Sequence, residues 1–278
     1  MKKFRVKNKL YEISSEYRLL QIGALFSNVE NEQSKLEDLN ASLEQLHYLS
    51  TIDKKFSRLI MEICLDVELV LKTSLINDAK KLGVAKDFAE KYLEEDKEYL
   101  IKTYPDEMNT LLKVETEFLL EKLLDFVLFG TLEKIIVKFY SLYQSDLNLK
   151  NGFLLKSGLN SVRHLRNRVA HNVPLLADFN KKCNFNNSEL YTILYQNGLK
   201  KKTVKNNLSK NVIFDFCVLL FLCNSIITKN QKKEYLKKFN RLFKYCKKYK
   251  KYYKHNLNLI SLYNFLKKST KIFLKKLS

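Results

Sequence analysis

The sequence predicts an all-α protein, a helical bundle that carries a basic amphipathic helical extension at its C-terminus. Three observations lead there. The 278 residues include only six Gly and two Pro, apolar side chains recur every three or four residues, and strand patterns are nearly absent. So few turn residues argue against a β sandwich and against a glycine-dense nucleotide fold. With 46% hydrophobic residues, the chain can bury a core and is not disordered throughout.

The first elements follow from leucines at helical spacing in residues 36–46. Asp53 is placed to cap the next helix, which Gly83 would end. The apolar stripe of that helix is Phe56, Leu59, Ile60, Ile63, Val67, Val70 and Leu71. A mostly polar helical segment then runs to about residue 103 and breaks at Pro105.

The middle of the chain predicts three further elements. Residues 108–128 have the spacing of one long helix, which Gly130 breaks or kinks before the pattern resumes. Residues 146–158 are a polar connection, and a helix then begins near residue 159. Because a proline disfavours helix in the residue before it, Pro174 predicts that this helix ends near Asn172.

The last third divides into a loop, a core helix and a basic tail. Residues 178–210 are rich in Asn and Lys and are predicted to be loop-like, whereas residues 212–227 are apolar enough for a buried helix and too short to span a bilayer. The tail has aromatic side chains on one helical face and Lys on the other. The sequence therefore predicts a domain over residues 1–227 and an extension over residues 228–278.

The net charge of +20 is concentrated in that extension, which holds 16 Lys, one Arg and one Glu. A basic tail on a nearly neutral body indicates a polyanionic partner, either nucleic acid or an anionic membrane surface. Compositional drift towards Lys and Asn would produce the same excess. Five Cys without a regular spacing, and no signal peptide, favour a reducing cytoplasm.

Arginine and histidine are scarce in this chain but cluster in one segment. Subtraction leaves 43 Lys and seven Arg, and three of those arginines fall between residues 163 and 168. The cluster consists of Arg163, His164, Arg166, Arg168 and His171. Since the planar guanidinium matches a phosphate as lysine cannot, the cluster indicates a phosphate site.

An imidazole beside a guanidinium suits metal-independent RNA cleavage, in which a 2′-hydroxyl attacks the adjacent phosphorus. His164, Asn167, Arg168 and His171 share one helical face. One helix supplies few proton-transfer groups, so a two-fold homodimer would provide a second set. A surface helix with solvated Arg and His remains the alternative, and a metal shared by the two histidines is a weaker one.

Five segments resemble the Abi-like family of abortive-infection proteins and, within it, the HEPN motif R-x4–6-H. Arg166-Asn167-Arg-Val-Ala-His171 is similar to the motif itself. Residues 128–134 resemble the family's F-G-x-L-x-K element, and Tyr17-Arg18-Leu19 its Y-R-L element. Residues 49–58 with 66–73 resemble its D-x-x-L-R and I-E-x-x-L-R-T helix. Asn172 stands where the family usually has a second His, and Trp is absent.

The resemblance implies a HEPN-like dimeric bundle with metal-independent endoribonuclease activity, no cofactor, and a role as a toxin or antiviral effector. It implies that Arg166 and His171 are catalytic and that Asn167 orients the phosphate or His171. Glu68 and Asp125 would support them, unless they are a helix cap and a surface carboxylate. Some family members pair with a small noncoding RNA.

Further RNA contacts are expected from basic side chains near the motif and in the tail. These are Arg163, His164, Arg168, Lys247, Lys248, Lys250 and Lys251. Basic and aromatic side chains together can follow a phosphate backbone and stack on bases, although the aromatic face could equally pack on the bundle. Two other functions stay open: an RNA-binding protein that does not cleave, and a toxin–antitoxin subunit whose tail docks an acidic protein.

Overall fold

The computed structural model describes residues 16–23, 25–26, 41–111, 113, 118–143, 152–183 and 188–276. These residues form thirteen α-helices: α1 (Glu16–Gly23), α2 (Leu43–Lys81), α3 (Ala85–Glu95), α4 (Lys97–Thr103), α5 (Pro105–Leu111), α6 (Leu119–Phe126), α7 (Phe129–Tyr143), α8 (Gly152–Ala170), α9 (Ser188–Gln196), α10 (Lys201–Leu208), α11 (Asn211–Ile226), α12 (Lys229–Lys248) and α13 (Leu257–Lys271). The part of the chain described contains no strand, only an isolated bridge between Lys182 and Lys210. The all-α prediction is therefore confirmed.

The 39-residue helix α2 is the axis of the bundle. Ser42 and Gln45 form a capping box at its start, and Gly83, with a φ of 70°, follows its end. At 1.5 Å per residue the helix is roughly 58 Å long, so different helices pack along its length. The predicted stop at Gly83 is confirmed, but the predicted cap at Asp53 is wrong because that residue lies inside α2.

Helix α8 lies between α2, α7 and α11. Its buried side chains include Leu159, Val162 and Leu165. Gly158 allows α8 to approach α11 closely, since a Cβ there would lie 2.9 Å from the side chain of Leu222. The packing leaves the opposite face of α8 towards solvent.

The basic tail folds back onto the bundle. A capping box of Thr228 and Gln231 begins α12, whose aromatic face, including Tyr235 and Phe239, is buried. Helices α12 and α13 pack on each other, and α12 also packs on α2. The aromatic side of the tail thus belongs to the core, and most of its described lysines face outward, whereas Lys232 is buried and donates to Asn224. The division at residue 227 stays a prediction.

Three expectations about local structure are corrected. Residues 108–128 are not one helix, because α5 and α6 are separate. Residues 152–158, expected in a polar connection, are the first part of α8, and the loop expected over residues 178–210 contains α9 and α10. Residues 36–40 lie outside the described residues. No helix in the described ranges is both long and apolar enough to cross a membrane.

Candidate functional site

The C-terminal half of α8 presents a polar surface. His164, Asn167 and His171 are exposed, whereas Arg166 and Arg168 on the flanks are partly buried. This pattern of exposure follows from the helical repeat, because Leu165 and its apolar neighbours lie on the other face of α8, which is packed against the core. Of the four residues predicted to share one face, His164, Asn167 and His171 are thus exposed, and Arg168 is partly buried.

Two of the three arginines on α8 are neutralised by carboxylates. The Nε of Arg163 lies 2.9 Å from a carboxylate oxygen of Glu133 on α7, and its Nη2 donates a hydrogen bond of 2.6 Å to Asn160. The Nη2 of Arg168 lies 2.5 Å from a carboxylate oxygen of Asp178. Both guanidinium groups are therefore held in place by the fold.

Arg166 differs from both, because it forms no ion pair with any described residue. Its Nη1 lies 3.5 Å from the Oδ1 of Asn167, a long and weak hydrogen bond. Burial raises the pKa of the Cys64 thiol on α2, and the positive charge of Arg166 opposes that rise. Glu68, which also acts on Cys64, lies 3.4 Å from Lys72. Arg166 thus retains donors for a bound anion.

His171 caps the C-terminus of α8. The backbone amide of His171 donates a hydrogen bond to the carbonyl of Asn167 at 3.0 Å. Asn172 follows in the left-handed conformation with a φ of 55°, and the amides of Asn172 and Val173 donate back to Val169 and Arg168 in a Schellman motif. The imidazole is exposed and has no hydrogen bond or ion pair within the described ranges, so it projects from a fixed backbone position.

A buried ion pair fastens the chain just after His171. Arg18 of α1 forms an ion pair with Asp53 of α2 and donates hydrogen bonds to the carbonyl of Asn172 at 2.6 Å and to Ser50 at 3.3 Å. The other carboxylate oxygen of Asp53 accepts the amide of Leu176 at 2.8 Å. Helices α1 and α2 thereby fix the segment that ends the motif helix. We call this set of contacts the Arg18 latch.

The electrostatics of the latch are those of a desolvated pair. Burial raises the pKa of Asp53 to about 6, while the amide of Leu176 and the Arg18 guanidinium favour the ionised form. The side chain of Asp53 is fully buried and that of Arg18 is 11% exposed. A buried charge of this kind depends on its partner.

His164 belongs to a different set of contacts. Its Nδ1 lies 3.8 Å from a carboxylate oxygen of Asp215 on α11. Burial raises the pKa of Asp215 to about 6, although a hydrogen bond from Ser161 opposes the rise. Burial, and then the Arg163 guanidinium, lower the pKa of His164 below its usual 6.5, so its imidazole is neutral at pH 7.

The other predicted residues lie on different elements. Asp125 is exposed on α6, which packs on α2, α3 and α5. The exposed lysines of the tail lie at the end of α12 and in the turn after it, where the Tyr252 hydroxyl donates to Glu44 of α2 at 2.6 Å. These lysines are Lys247, Lys248, Lys250 and Lys251. Their segment therefore adjoins the start of α2, and its described contacts are not with α8.

Sequence reasoning gave no role to Arg18 and gave Asp53 a wrong one. The signal was present, because both residues stand in segments that resemble the family's motifs. What was missing is the contact itself: it joins residues 35 and 154 positions apart. The contact between Asp215 and His164 likewise joins distant parts of the chain.

Fold and site together define an all-α protein whose motif helix presents an arginine and a histidine at its surface. The family described as Abi-like protein matches residues 8–177, more than half of the chain. The chain therefore belongs to the Abi-like family, as its motifs indicated. Arg18, Asp53, Arg166 and His171 all fall within the match, and α9 to α13 lie beyond it. Neither curated proteins nor solved structures yielded a match.

Proposed function

We propose that this Abi-like protein is a metal-independent endoribonuclease of the HEPN type that acts in anti-phage abortive infection. The observation that carries the proposal is the state of Arg166. Alone among the three arginines of α8 it has no carboxylate partner within the described residues, and it precedes the exposed His171 on the same helix. A guanidinium and an imidazole so placed can serve one phosphate.

The reaction would begin with attack of the ribose 2′-oxygen on the adjacent phosphorus. The bond from O2′ to phosphorus forms, the bond from phosphorus to O5′ breaks, and the products are a 2′,3′-cyclic phosphate and a 5′-hydroxyl. One imidazole takes the proton of the 2′-hydroxyl and another gives a proton to O5′. Arg166 would stabilise the charge on the non-bridging oxygens, and Asn167 would orient the phosphate or His171.

Because one chain supplies one motif histidine, the proposal includes a homodimer in which His171 of each copy serves the same phosphate. Apolar surface next to the motif supports this arrangement. Leu65 and Leu69 on α2 are 49% and 63% exposed. They are one helical turn apart on α2 and directly follow Cys64 and Glu68 in the sequence, and the Arg166 guanidinium is near enough to Cys64 to affect the pKa of its thiol. A second copy would bury them.

Replacement of Arg166 tests the phosphate role. We expect Arg166→Ala to lower the cleavage rate by about 10²-fold or more, as loss of a charged transition-state donor does elsewhere. We expect Arg166→Lys to keep only part of the wild-type rate, because lysine lacks the planar guanidinium that forms two hydrogen bonds to a phosphate. The assay follows a labelled RNA in EDTA, with end analysis for cyclic phosphate. The control Arg163→Met removes an arginine already paired with Glu133. An equal loss in the control would contradict a specific role of Arg166.

Charge on the apolar stripe tests the dimer. We expect Leu65→Glu with Leu69→Glu to shift the protein from dimer to monomer in sedimentation or light scattering, and to reduce cleavage in parallel, since desolvating two carboxylates in an interface is costly. Leu257→Glu, at a residue 80% exposed at the start of α13, is the control. A wild-type monomer that cleaves RNA would contradict the composite site.

Cleavage in EDTA also separates the proposal from its main rival. RNA that binds tightly and stays intact, with the same affinity for Arg166→Ala, would favour a sequestering RNA-binding protein. Cleavage with cyclic phosphate ends would favour the enzyme. Growth arrest on expression, absent for inactive variants, would connect the activity to abortive infection.

A further inference from the structure

Helices α2 and α12 run antiparallel and enclose a surface groove. Tyr235 donates to Asp66, Lys238 pairs with Glu62, and Tyr252 after the helix donates to Glu44. Residue numbers therefore decrease along α2 as they increase along α12, which shows that the two helices are antiparallel. The polar lining of the groove is Lys55, Arg58, Glu62, Lys238, Arg241 and Tyr245. Neither the motif nor the latch contributes to it.

The groove carries an uncompensated positive charge. Among the described residues that line the groove, Glu62 is the one acidic residue, and it is paired with Lys238. Arg58 and Arg241 are exposed, face each other across the groove, and form no ion pair with any residue that the structure describes. Both belong to the seven arginines of a chain that otherwise uses lysine. Two planar forks on opposite walls suit a phosphodiester.

Aromatic rings continue from the groove towards the end of α12. The Nζ of Lys55 lies 5.0 Å from the ring centre of Tyr245. The ring centre of Tyr245 is 4.7 Å from that of Tyr249, which in turn stacks on Tyr48 at 4.5 Å. Lys248 lies 5.4 Å from the Tyr249 ring centre. Alternating cations and aromatic rings are the pattern with which proteins bind single-stranded nucleic acid.

We propose that this groove binds a single-stranded segment of RNA, with phosphates on Arg58, Arg241 and Lys55 and a base against Tyr245. The groove is a second site. Cys64, which neighbours Arg166, and Glu62, which lines the groove, are two residues apart, so about 200° of helical rotation separates them. The inference rests on the proposed function, because the groove would hold the RNA whose cleavage is assigned to Arg166 and His171.

The test measures binding without cleavage, in a His171→Ala background, by fluorescence anisotropy of a labelled single-stranded RNA of about 12 nucleotides, within the usual range of such sites. Arg58→Glu with Arg241→Glu should raise Kd about tenfold or more. It should also flatten the slope of log K against log salt by about 1.4, since each lost phosphate contact contributes about 0.7. Arg58→Gln with Arg241→Gln should give a smaller loss in the same direction if the charge reversal perturbs folding.

The matched control is Lys97→Glu with Lys102→Glu, two exposed residues of α4 with the same change in net charge. An equal loss of RNA affinity in both double variants, or no affinity for RNA in the His171→Ala protein, would contradict RNA binding by the groove. The proposals fail separately. If cleavage needs Arg166 and His171 but RNA affinity does not depend on Arg58 and Arg241, the nuclease proposal stands and the groove proposal is wrong. If RNA binding depends on Arg58 and Arg241 but no cleavage occurs, the groove proposal stands and the nuclease proposal is wrong.

Discussion

Replacing His171 with alanine should lower RNA cleavage by at least about 10²-fold, and by up to about 10⁴-fold, because general acid–base catalysis by a positioned imidazole contributes that much. The loss should appear in kcat rather than in the affinity for RNA, since Arg166 and the surrounding surface are unchanged. Folding should survive, because the side chain is exposed and the Schellman motif that ends α8 uses backbone groups. Single-turnover cleavage in EDTA, with circular dichroism as a folding check, measures both.

The sharpest control is His164→Ala, seven residues earlier on the same face of α8. His164 lies beside Asp215 and is neutral at pH 7, whereas the His171 imidazole contacts none of the described groups. We expect His164→Ala to retain most of the activity. An inactive His164→Ala beside an active His171→Ala would reverse the assignment, and activity in both variants would remove histidine from the mechanism.

The sequence predicted elements well where burial makes apolar residues periodic. The stripe of α2 was predicted correctly because one face of that helix is buried, with 13 of its 39 residues in the core. The apolar run of α11 was predicted correctly because most of that helix is buried. Helix α10 was missed because its sequence is dominated by Lys and Asn, although Val204 and Leu208 are buried. Two apolar side chains in eight residues do not distinguish a helix from a loop.

The site was predictable in composition but not in connectivity. The cluster of scarce residues identified α8, yet three arginines on one helix look alike in sequence. Arg163 pairs with Glu133 on α7 and Arg168 with Asp178 in the turn after α8, whereas Arg166 has no ion pair with a described residue. These differences depend on tertiary packing. Asp53 shows the same limit. Its position before an apolar stripe suggested a local cap, but its partner is Arg18, which only tertiary packing brings near.

Breaking the Arg18 latch should destabilise the fold by about 3–5 kcal/mol at neutral pH, the usual cost of leaving one member of a buried ion pair alone. Arg18→Met removes the charge opposite Asp53 and also the donor to the Asn172 carbonyl. The end of α8 should loosen even where the protein stays folded. We therefore expect faster hydrogen exchange at the amides of residues 171–173, 175 and 176, and a lower kcat for cleavage with little change in KM.

The pH dependence distinguishes this charge effect from simple loss of packing. The pKa of Asp53 is about 6 in the folded protein and about 3.9 for an unperturbed Asp, so the folded chain takes up the extra proton, and this carboxyl's contribution to stability falls as pH rises from about 4 to 6. Without Arg18 the pKa should rise further. Arg18→Met should thus be much less destabilising at pH 4.5, where Asp53 is protonated, than at pH 7.5.

Two further variants of the latch complete the argument. Asp53→Asn removes the titrating carboxyl and leaves the Arg18 charge buried, so its cost in urea denaturation should fall as pH rises from about 4 to 6, opposite in direction to the cost of Arg18→Met. Arg18→Met with Asp53→Leu removes both charges and should recover part of the stability, as replaced buried pairs often do. It should not recover kcat, because the Asn172 carbonyl and the Leu176 amide stay unpaired.

A loss of stability in Arg18→Met that is the same at both pH values would contradict the ion pair as the source of that loss. Unchanged exchange at residues 171–173, 175 and 176 would contradict its hold on the motif helix.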